Sequence, residues 1–369
     1  MERFDIIIVG AGIAGASLGA EVAGGRRVIV LEAESHPGMH STGRSAAFWL
    51  ESYGGAAVAR LSAASHSFLA NPPGGFAEAG FLRQRGAIHV DESGRADAFA
   101  GIPDSVVTTA MSRAELEAAV PGLSRRWVQG RMEAGCADID VAGLHAAYLR
   151  QLRRRGGLVR TDSRLASAAR SDGEWVVRLE SGEEIAAPVI VNAAGAWADP
   201  VARACGVRPI GIAPKRRTMV QLRVGRGGLA GLPQVIDAAG SFYFKGEGDR
   251  SVWVSPHDEI PTDACDAQPE EIDIAVAIDR FERSVDWPVE RVERSWAGLR
   301  SFAPDRLPVY GFDAGGEGFF WFAGQGGFGI QTAPAAAKLA AAILTGEAPD
   351  PMVAAIDPAP YAPTRFATR

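Results

Sequence analysis

Lysine is almost missing from this chain. Positive charge is carried by arginine, the exceptions being Lys215, Lys245 and Lys338, and 44 acids outnumber 38 bases. A net charge of −6 provides no basic face for a nucleic acid, whose phosphates need clustered positive charge. Cysteine is sparse as well. Cys136, Cys205 and Cys265 show no metal-ligand spacing and, being three, cannot all pair. That argues against a disulfide scaffold or a resident metal and points to a reducing, cytoplasmic setting. No apolar run is long enough for a transmembrane segment: Ile6 to Ala20 is too short, and its glycines and flanking acids suit another role. Linkers, low-complexity tracts and repeats are missing too. What remains is 369 residues, 47% hydrophobic and 22% charged, enough for two intimately connected globular domains.

The stretch Phe4 to Glu34 organises the rest. Ile6 to Val9 reads as a buried strand, Gly10-Ala-Gly-Ile-Ala-Gly15 as a turn, Ala16 to Val22 as a helix, and Val28 to Leu31 as a second strand ending at Glu32. This is a βαβ unit of dinucleotide-binding type. Gly10 makes the tight turn, Gly12 admits a pyrophosphate to the backbone, and Gly15 lets helix pack on strand. The phosphates would sit on the helix N-terminus, and Glu32 is placed for a ribose diol. The unit alone does not decide between NAD and FAD.

The segment His40 to Ala47 follows, a hydroxyl-rich loop with Arg44 that either lines a diphosphate or simply enters a helix. Phe48 to Gly55 reads as a loop with a Gly-Gly hinge, a candidate lid. A helix is expected over 56–69, strand character over 81–90, a helix over 112–120, and another capped by Asp140. A hairpin turns at Ser181-Gly182, and Val189 to Ala193 is a strand running into Ala194-Gly195-Ala196-Trp197. From Pro214 to Val224 the pattern alternates: Thr218, Val220, Leu222 and Val224 share one face, Arg217, Met219, Gln221 and Arg223 the other. Strands around Phe242–Phe244 and Val252–Val254 extend that sheet, and a helix begins near Pro269. Near the end, a strand at Phe319–Ala323 feeds Gly324-Gln-Gly-Gly-Phe-Gly329 and a helix from Thr332 to Leu344. This second glycine-rich helix start offers a positive pole that suits the negative charge of a reduced flavin, so the pair of them favours FAD over NAD.

Together these residues resemble the family of FAD-dependent D-amino acid dehydrogenases and oxidases, whose relatives include glycine and sarcosine oxidases. The likeness covers nearly the whole chain: GAGIAGAS (10–17), HSTGRSAA (40–47), NPP (71–73), ADID (137–140), VNAAGAW (191–197), PKRR (214–217), SFY (241–243), WAGLRSF (296–302) and QGGFGIQT (325–332). Its nearest branch is that of bacterial D-arginine dehydrogenases. The implied fold is α/β, a doubly wound, Rossmann-like FAD-binding domain (1–75, 141–210, 301–369) interwoven with a mixed-sheet substrate domain (76–140, 211–300).

Carried over by position, Arg217 and Arg300 would hold a substrate carboxylate with Tyr53 and Tyr243, the Gly327 carbonyl would receive the amine, and Gln331 would lie beside it. Either arginine alone reads as well as a surface ion pair; the matched motifs assign the clamp. FAD contacts are implied for Gly10, Gly12, Ile13, Ala14, Gly15, Glu32 and Ala33, and for Ser41, Thr42, Arg44, Ser45 and Ala46. They are also implied for Ala194, Gly195, Trp197, Arg300, Gly326, Gly327, Gly329, Ile330, Gln331 and Thr332. The pocket departs from the arginine branch. Ala87 stands where that branch has a glutamate, and Phe48 and Leu50 where it has His and Thr; Ile236 and Gln234 complete the lining. An unpartnered buried cation is costly, so neutral or apolar side chains are expected.

The reaction implied is oxidative deamination of a small D-amino acid, hydride passing from Cα to flavin N5 and the imino acid hydrolysing to a 2-oxo acid and ammonia. No side-chain base stands out, and His40, His89 and His257 read more readily as packed or solvated. Relatives that use oxygen well place a lysine over the flavin. Here Ser251–Ser255 has none, so a quinone or other acceptor is expected; Lys245, in parity with Tyr243, is the one lysine able to reach that side, and there it would favour oxygen. The alternatives are a glycine- or sarcosine-type oxidase forming hydrogen peroxide and a non-catalytic flavin redox sensor. FAD is expected to co-purify; a colourless protein that stays colourless after incubation with excess FAD contradicts the reading.

Overall fold

In the computed structural model, which describes residues 1–366, the Phe4–Glu34 unit forms the middle of a six-stranded sheet. The last three residues of the third expected FAD-binding segment lie outside the described residues. The strand order is Leu158–Arg160, Val28–Leu31, Ile6–Val9, Val189–Asn192, Phe319–Ala323, Val309–Phe312, parallel except for the last pair. Ile6–Val9 and Val28–Leu31 are apolar and buried at every position, as strands covered on both faces must be. One face packs under the helices Ile13–Val22, Val141–Arg154 and Gly329–Thr345, with Ala16, Leu144 and Ala336 in one apolar cluster. The other face is covered by an antiparallel meander (Leu165–Ser171, Glu174–Leu179, Glu184–Ala187) and the helix Ala198–Ala204.

Local signals act as their chemistry dictates. Asp140 caps its helix by accepting the Gly143 N–H at 2.9 Å, and Ser112 with Glu115 forms a complete capping box. Two helices start elsewhere than expected. The first begins at Ile13, because Thr42 supplies an acceptor to the Ile13 N–H at 3.0 Å. The last begins at Gly329, which puts Pro334 inside the helix and removes one interior hydrogen bond.

The second large sheet runs Gln325–Gly326, Val289–Phe302, Ala213–Val224, Ser251–Ser255, Tyr243–Gly246, Gln234–Asp237, Ala87–Asp91, Gln129–Glu133, Thr109–Met111, with Ile260–Pro261 beside Ala213–Val224. Its two faces separate by parity. Val220, Leu222 and Val224 join Val235, Phe244 and Ile88 in a core closed by Ala277 and Phe281 of the helix Glu271–Ser284. The opposite face carries the chemistry. Arg217 pairs with Gly298 and Lys215 with Arg300, so the two arginines of interest are diagonal neighbours. Ile236 lies between Tyr243 and His89, and Ala87 between Gln234 and Glu133. A smaller sheet of Phe48–Trp49, Ala137–Ile139 and Leu82–Gln84 joins the two halves.

Gly15 is where the first helix meets the turn. A Cβ there would lie 1.8 Å from the Gly10 carbonyl oxygen, backbone that cannot yield cheaply. Gly10 itself has φ +101°. Gly15→Ala is therefore expected to lower stability by about 1–3 kcal/mol, the usual cost of overpacking. Chemical denaturation checks this, and an unchanged midpoint would contradict the close-packing role.

Candidate active site

A cavity opens at the C-terminal ends of the parallel strands and reaches across to the polar face of the second sheet. Gly10, Gly12, Ile13, Ala14 and Glu32 line one end. Ser41, Thr42, Arg44, Ser45, Ala46 and Phe48 form one side, and Ala194, Gly195 and Trp197 another. Gly326, Gly327, Gly329, Ile330 and Gln331 lie under the far end, with Tyr53, Arg217, Tyr243 and Arg300 above them. The structure thus brings together most of the residues named from the sequence. Gly15, Ala33, Thr332 and Ala87 do not line it. Gly15 packs on Gly10, the Thr332 hydroxyl donates to the Phe328 carbonyl at 2.9 Å, and Ala87 is wholly buried beside Leu50 and Cys136.

The nucleotide end is built by backbone and small groups. Glu32 accepts the Ala11 N–H at 3.0 Å and the Glu34 N–H at 3.1 Å. A carboxylate has about four acceptor sites, so two stay free for a diol. The hydroxyl loop is a tether as well as a lining. Ser41 donates to the Leu299 carbonyl at 2.6 Å, and Trp296 donates to the Arg44 carbonyl at 3.0 Å. The Arg44 guanidinium is engaged by Asp266 and by the carbonyls of Ala267 and Ala297. Its charge therefore helps hold the loop to the second sheet. His145, which sequence reading missed, bonds the Ala11 carbonyl at 2.8 Å.

The far end is shaped by glycine. A Cβ on Gly326 would meet the Phe302 ring at 2.5 Å, and one on Gly327 would meet Tyr53 Oη at 2.4 Å and Arg300 Nη1 at 2.8 Å. Only bare backbone leaves that floor open beneath the arginines.

Arg217 is 4% exposed. Its Nε donates to the Asp258 carbonyl at 2.6 Å, and its Nη2 is a long 3.5 Å from Glu259. Its Nη1 is buried without a partner. Burial, then the charge of Arg300, pulls the Arg217 guanidinium down to about 10, so it stays charged at neutral pH. Arg300 donates to the Tyr53 hydroxyl, and among the described residues no carboxylate pairs with it. Tyr243 donates only to the Met219 sulfur at 3.2 Å, a weak acceptor. Two guanidiniums, one with an orphaned donor, and two hydroxyls therefore converge where an anion would be held by charge-assisted bonds.

None of the three histidines is set up as a base over this spot. His40 meets Glu34 and lies against Trp197. His89 meets Glu133 at 3.0 Å. His257 contacts the Gly240 carbonyl through Nδ1; burial, then Arg217 and Arg300, pushes it down to about 3 and keeps it neutral. Lys245, the one lysine expected to reach this side, is turned aside. It pairs with Asp138 at 2.8 Å and lies 4.8 Å from the Trp253 ring centroid. Burial pushes the Asp138 carboxyl up, but Arg85 and Lys245 outweigh it and hold it at about 2.

The expected lid, Phe48 to Gly55, starts as the short strand Phe48–Trp49 and is pinned twice. The Gln331 amide accepts the Leu50 N–H at 3.1 Å, donates to the Leu50 carbonyl at 3.2 Å, and donates to Ser62 at 2.7 Å. Glu133 accepts the Ser52 N–H at 3.2 Å and hydroxyl at 2.6 Å. Gln331 is thus a positioning residue through its side chain. Glu133 escaped the sequence reading because nothing in Gln129–Glu133 signals which strand it joins. Beneath this segment a second cavity adjoins the first, sharing Phe48, Tyr53, Tyr243 and Arg300 and adding Leu50, Ile236, Gln234 and His89.

Three comparisons place this geometry. A family model described as DAO, FAD dependent oxidoreductase, matches residues 5–343. A glycine oxidase of Pseudomonas aeruginosa is 27% identical over 257 residues, covering 68% of this chain and 66% of its own, so the matched stretch is just under two thirds of that relative. Two solved structures share the fold with TM-scores of 0.84 at 21% identity. They are an L-proline dehydrogenase from P. horikoshii (99% of this chain, 98% of its own) and a glycine oxidase from Geobacillus kaustophilus (99% of each). FAD is the cofactor of this fold, and the glycine-shaped cavity with Glu32 at one end suits it.

Arg217→Met and Arg300→Met are each expected to lower kcat/KM by about 10- to 100-fold, the loss of one or two charge-assisted bonds, with FAD content unchanged. Near-normal kinetics in both variants would contradict the anion-holding role.

Proposed function

The chain belongs to the DAO family of FAD-dependent oxidoreductases, and on that premise we propose that it deaminates D-amino acids with neutral side chains. The observation that carries this reading is the second cavity, which opens off the first at Arg300, Tyr53 and Tyr243. A substrate carboxylate held by Arg217 and Arg300 leaves room there for a side chain, which glycine lacks. Phe48, Leu50 and Ile236 give that room an apolar wall. The D configuration rests on the resemblance that the quoted motifs, GAGIAGAS to QGGFGIQT, carry together to the D-amino acid dehydrogenases.

Arg217 Nη1, with no other partner, donates to the carboxylate alongside Arg300 and the two tyrosine hydroxyls. The Gly327 carbonyl takes the amine, which enters deprotonated: burial and the two arginines leave His257, beside the clamp, too weak a base to take its proton. FAD, when bound, would supply the acceptor for the hydride lost from Cα. The lid residues, fixed by Gln331 and Glu133, keep water from the carboxylate and so strengthen the arginine contacts. The imino acid leaves and hydrolyses in solution to 2-oxo acid and ammonia. With Lys245 bound to Asp138 no lysine among the described residues lines the cavity, which supports a quinone or similar electron acceptor over oxygen.

A glycine- or sarcosine-type oxidase is the second reading, favoured by the relative named glycine oxidase. Anaerobic bleaching of the flavin by a panel of D- and L-amino acids, glycine and sarcosine separates the two. Neutral D-amino acids are expected to bleach it fastest, ahead of D-arginine. Fastest bleaching by glycine or sarcosine supports the second reading, and fastest bleaching by D-arginine contradicts the neutral pocket.

A further inference from the structure

One side chain of the second cavity has hydrogen-bonding capacity that nothing uses. Gln234 lines that cavity, is 0% exposed, and among the described residues has a partner for neither Oε1 nor Nε2. A desolvated polar group left unpaired costs about 1–3 kcal/mol, and such groups are uncommon in folded proteins. The polar neighbours around the same cavity are engaged. Ser52 and His89 meet Glu133, Asp237 meets Ser241, and His257 meets the Gly240 carbonyl. Ala87, in register beside Gln234, has no side-chain polar atom to offer.

The register also sets the distance. Ile236 pairs with Tyr243 at the clamp, and Gln234 lies one same-face step further along the strand, about 7 Å. That is the reach of a short extended side chain plus one hydrogen bond. An alkyl side chain there leaves both amide atoms unpaired. A carboxylate engages Nε2 but opposes Oε1, and an ammonium engages Oε1 but leaves Nε2 unpaired. A primary amide donates to Oε1 and accepts from Nε2 together.

The geometry points to Gln234 as the residue that selects the substrate side chain, and to a D-amino acid ending in a carboxamide, D-glutamine ahead of D-asparagine. This rests on the reading of the cavity as the side-chain site of a D-amino acid oxidoreductase. A site built to hydrogen-bond its substrate discriminates strongly against an analogue that lacks the bond.

The test compares D-glutamine with D-methionine, close in length but without an amide, in the FAD-loaded enzyme with a dye acceptor. The native protein is expected to favour D-glutamine in kcat/KM by about 10-fold or more. In Gln234→Leu, D-glutamine falls by about 10- to 100-fold while D-methionine holds or rises, with FAD content unchanged. Gln234→Met serves the same purpose if the leucine variant does not fold. D-methionine turned over as well as or better than D-glutamine by the native protein overturns the assignment of Gln234 while leaving the D-amino acid reading intact. So does an unchanged ratio in a folded variant. No flavin reduction by any D-amino acid overturns both.

Discussion

Two arginine charges on one sheet face, only loosely neutralised by protein, are the constraint on which the site depends. Arg217 is buried with one terminal nitrogen unpartnered among the described residues, and its contacts to the carboxylates of Asp258 and Glu259 are long, at 3.7 and 3.5 Å. Arg300, diagonal to it, touches only a tyrosine hydroxyl among its close polar contacts. Such an arrangement carries electrostatic cost that an anionic ligand relieves. The surrounding acids are already held elsewhere. Asp258 accepts the Thr218 N–H and hydroxyl at 2.8 and 2.9 Å, and Glu259 pairs with Arg306 at 2.7 Å. Burial pushes the Glu259 carboxyl up, but Arg306, then Arg217 and Lys215, hold it at about 2. The acids that could neutralise the arginines are thus kept at arm's length.

The rest of the architecture brings a cofactor cradle to that face. The parallel sheet ends at the cavity, the tether of Ser41 and Arg44 fixes the distance to the second sheet, and glycines 326 and 327 keep the floor thin. Buried polar side chains pin the Phe48–Gly55 segment: Gln331 through Leu50, and Glu133 through Ser52. Specificity is then left to the few residues that are not otherwise engaged.

Much of this was legible in the sequence because it is local. The βαβ unit, the Asp140 cap and the alternation that sends Val220 inward and Arg217 to the cavity each follow from spacing within a few residues. What escaped depends on strand pairing at long range. Arg44 lines the cavity, but its engagement by Asp266, over two hundred residues away, has no local signal. Lys245 shares parity with Tyr243, yet Asp138 draws it away. Glu133 becomes part of the lid only because its strand lies against Ala87. Gln234 was visible as the polar exception of an apolar pocket, but its lack of any partner is a fact of packing.

Binding of an anion by the paired arginines is the central claim, and it can be tested without turnover. The FAD-loaded protein is titrated with benzoate and with benzamide, a neutral analogue of similar shape, following the flavin absorption spectrum. The account predicts saturable spectral change with benzoate, weakened in Arg300→Met, and at least about tenfold weaker binding of benzamide, the loss of charge-assisted bonds. Equal affinity for the two compounds, or benzoate binding untouched by the substitution, would contradict it.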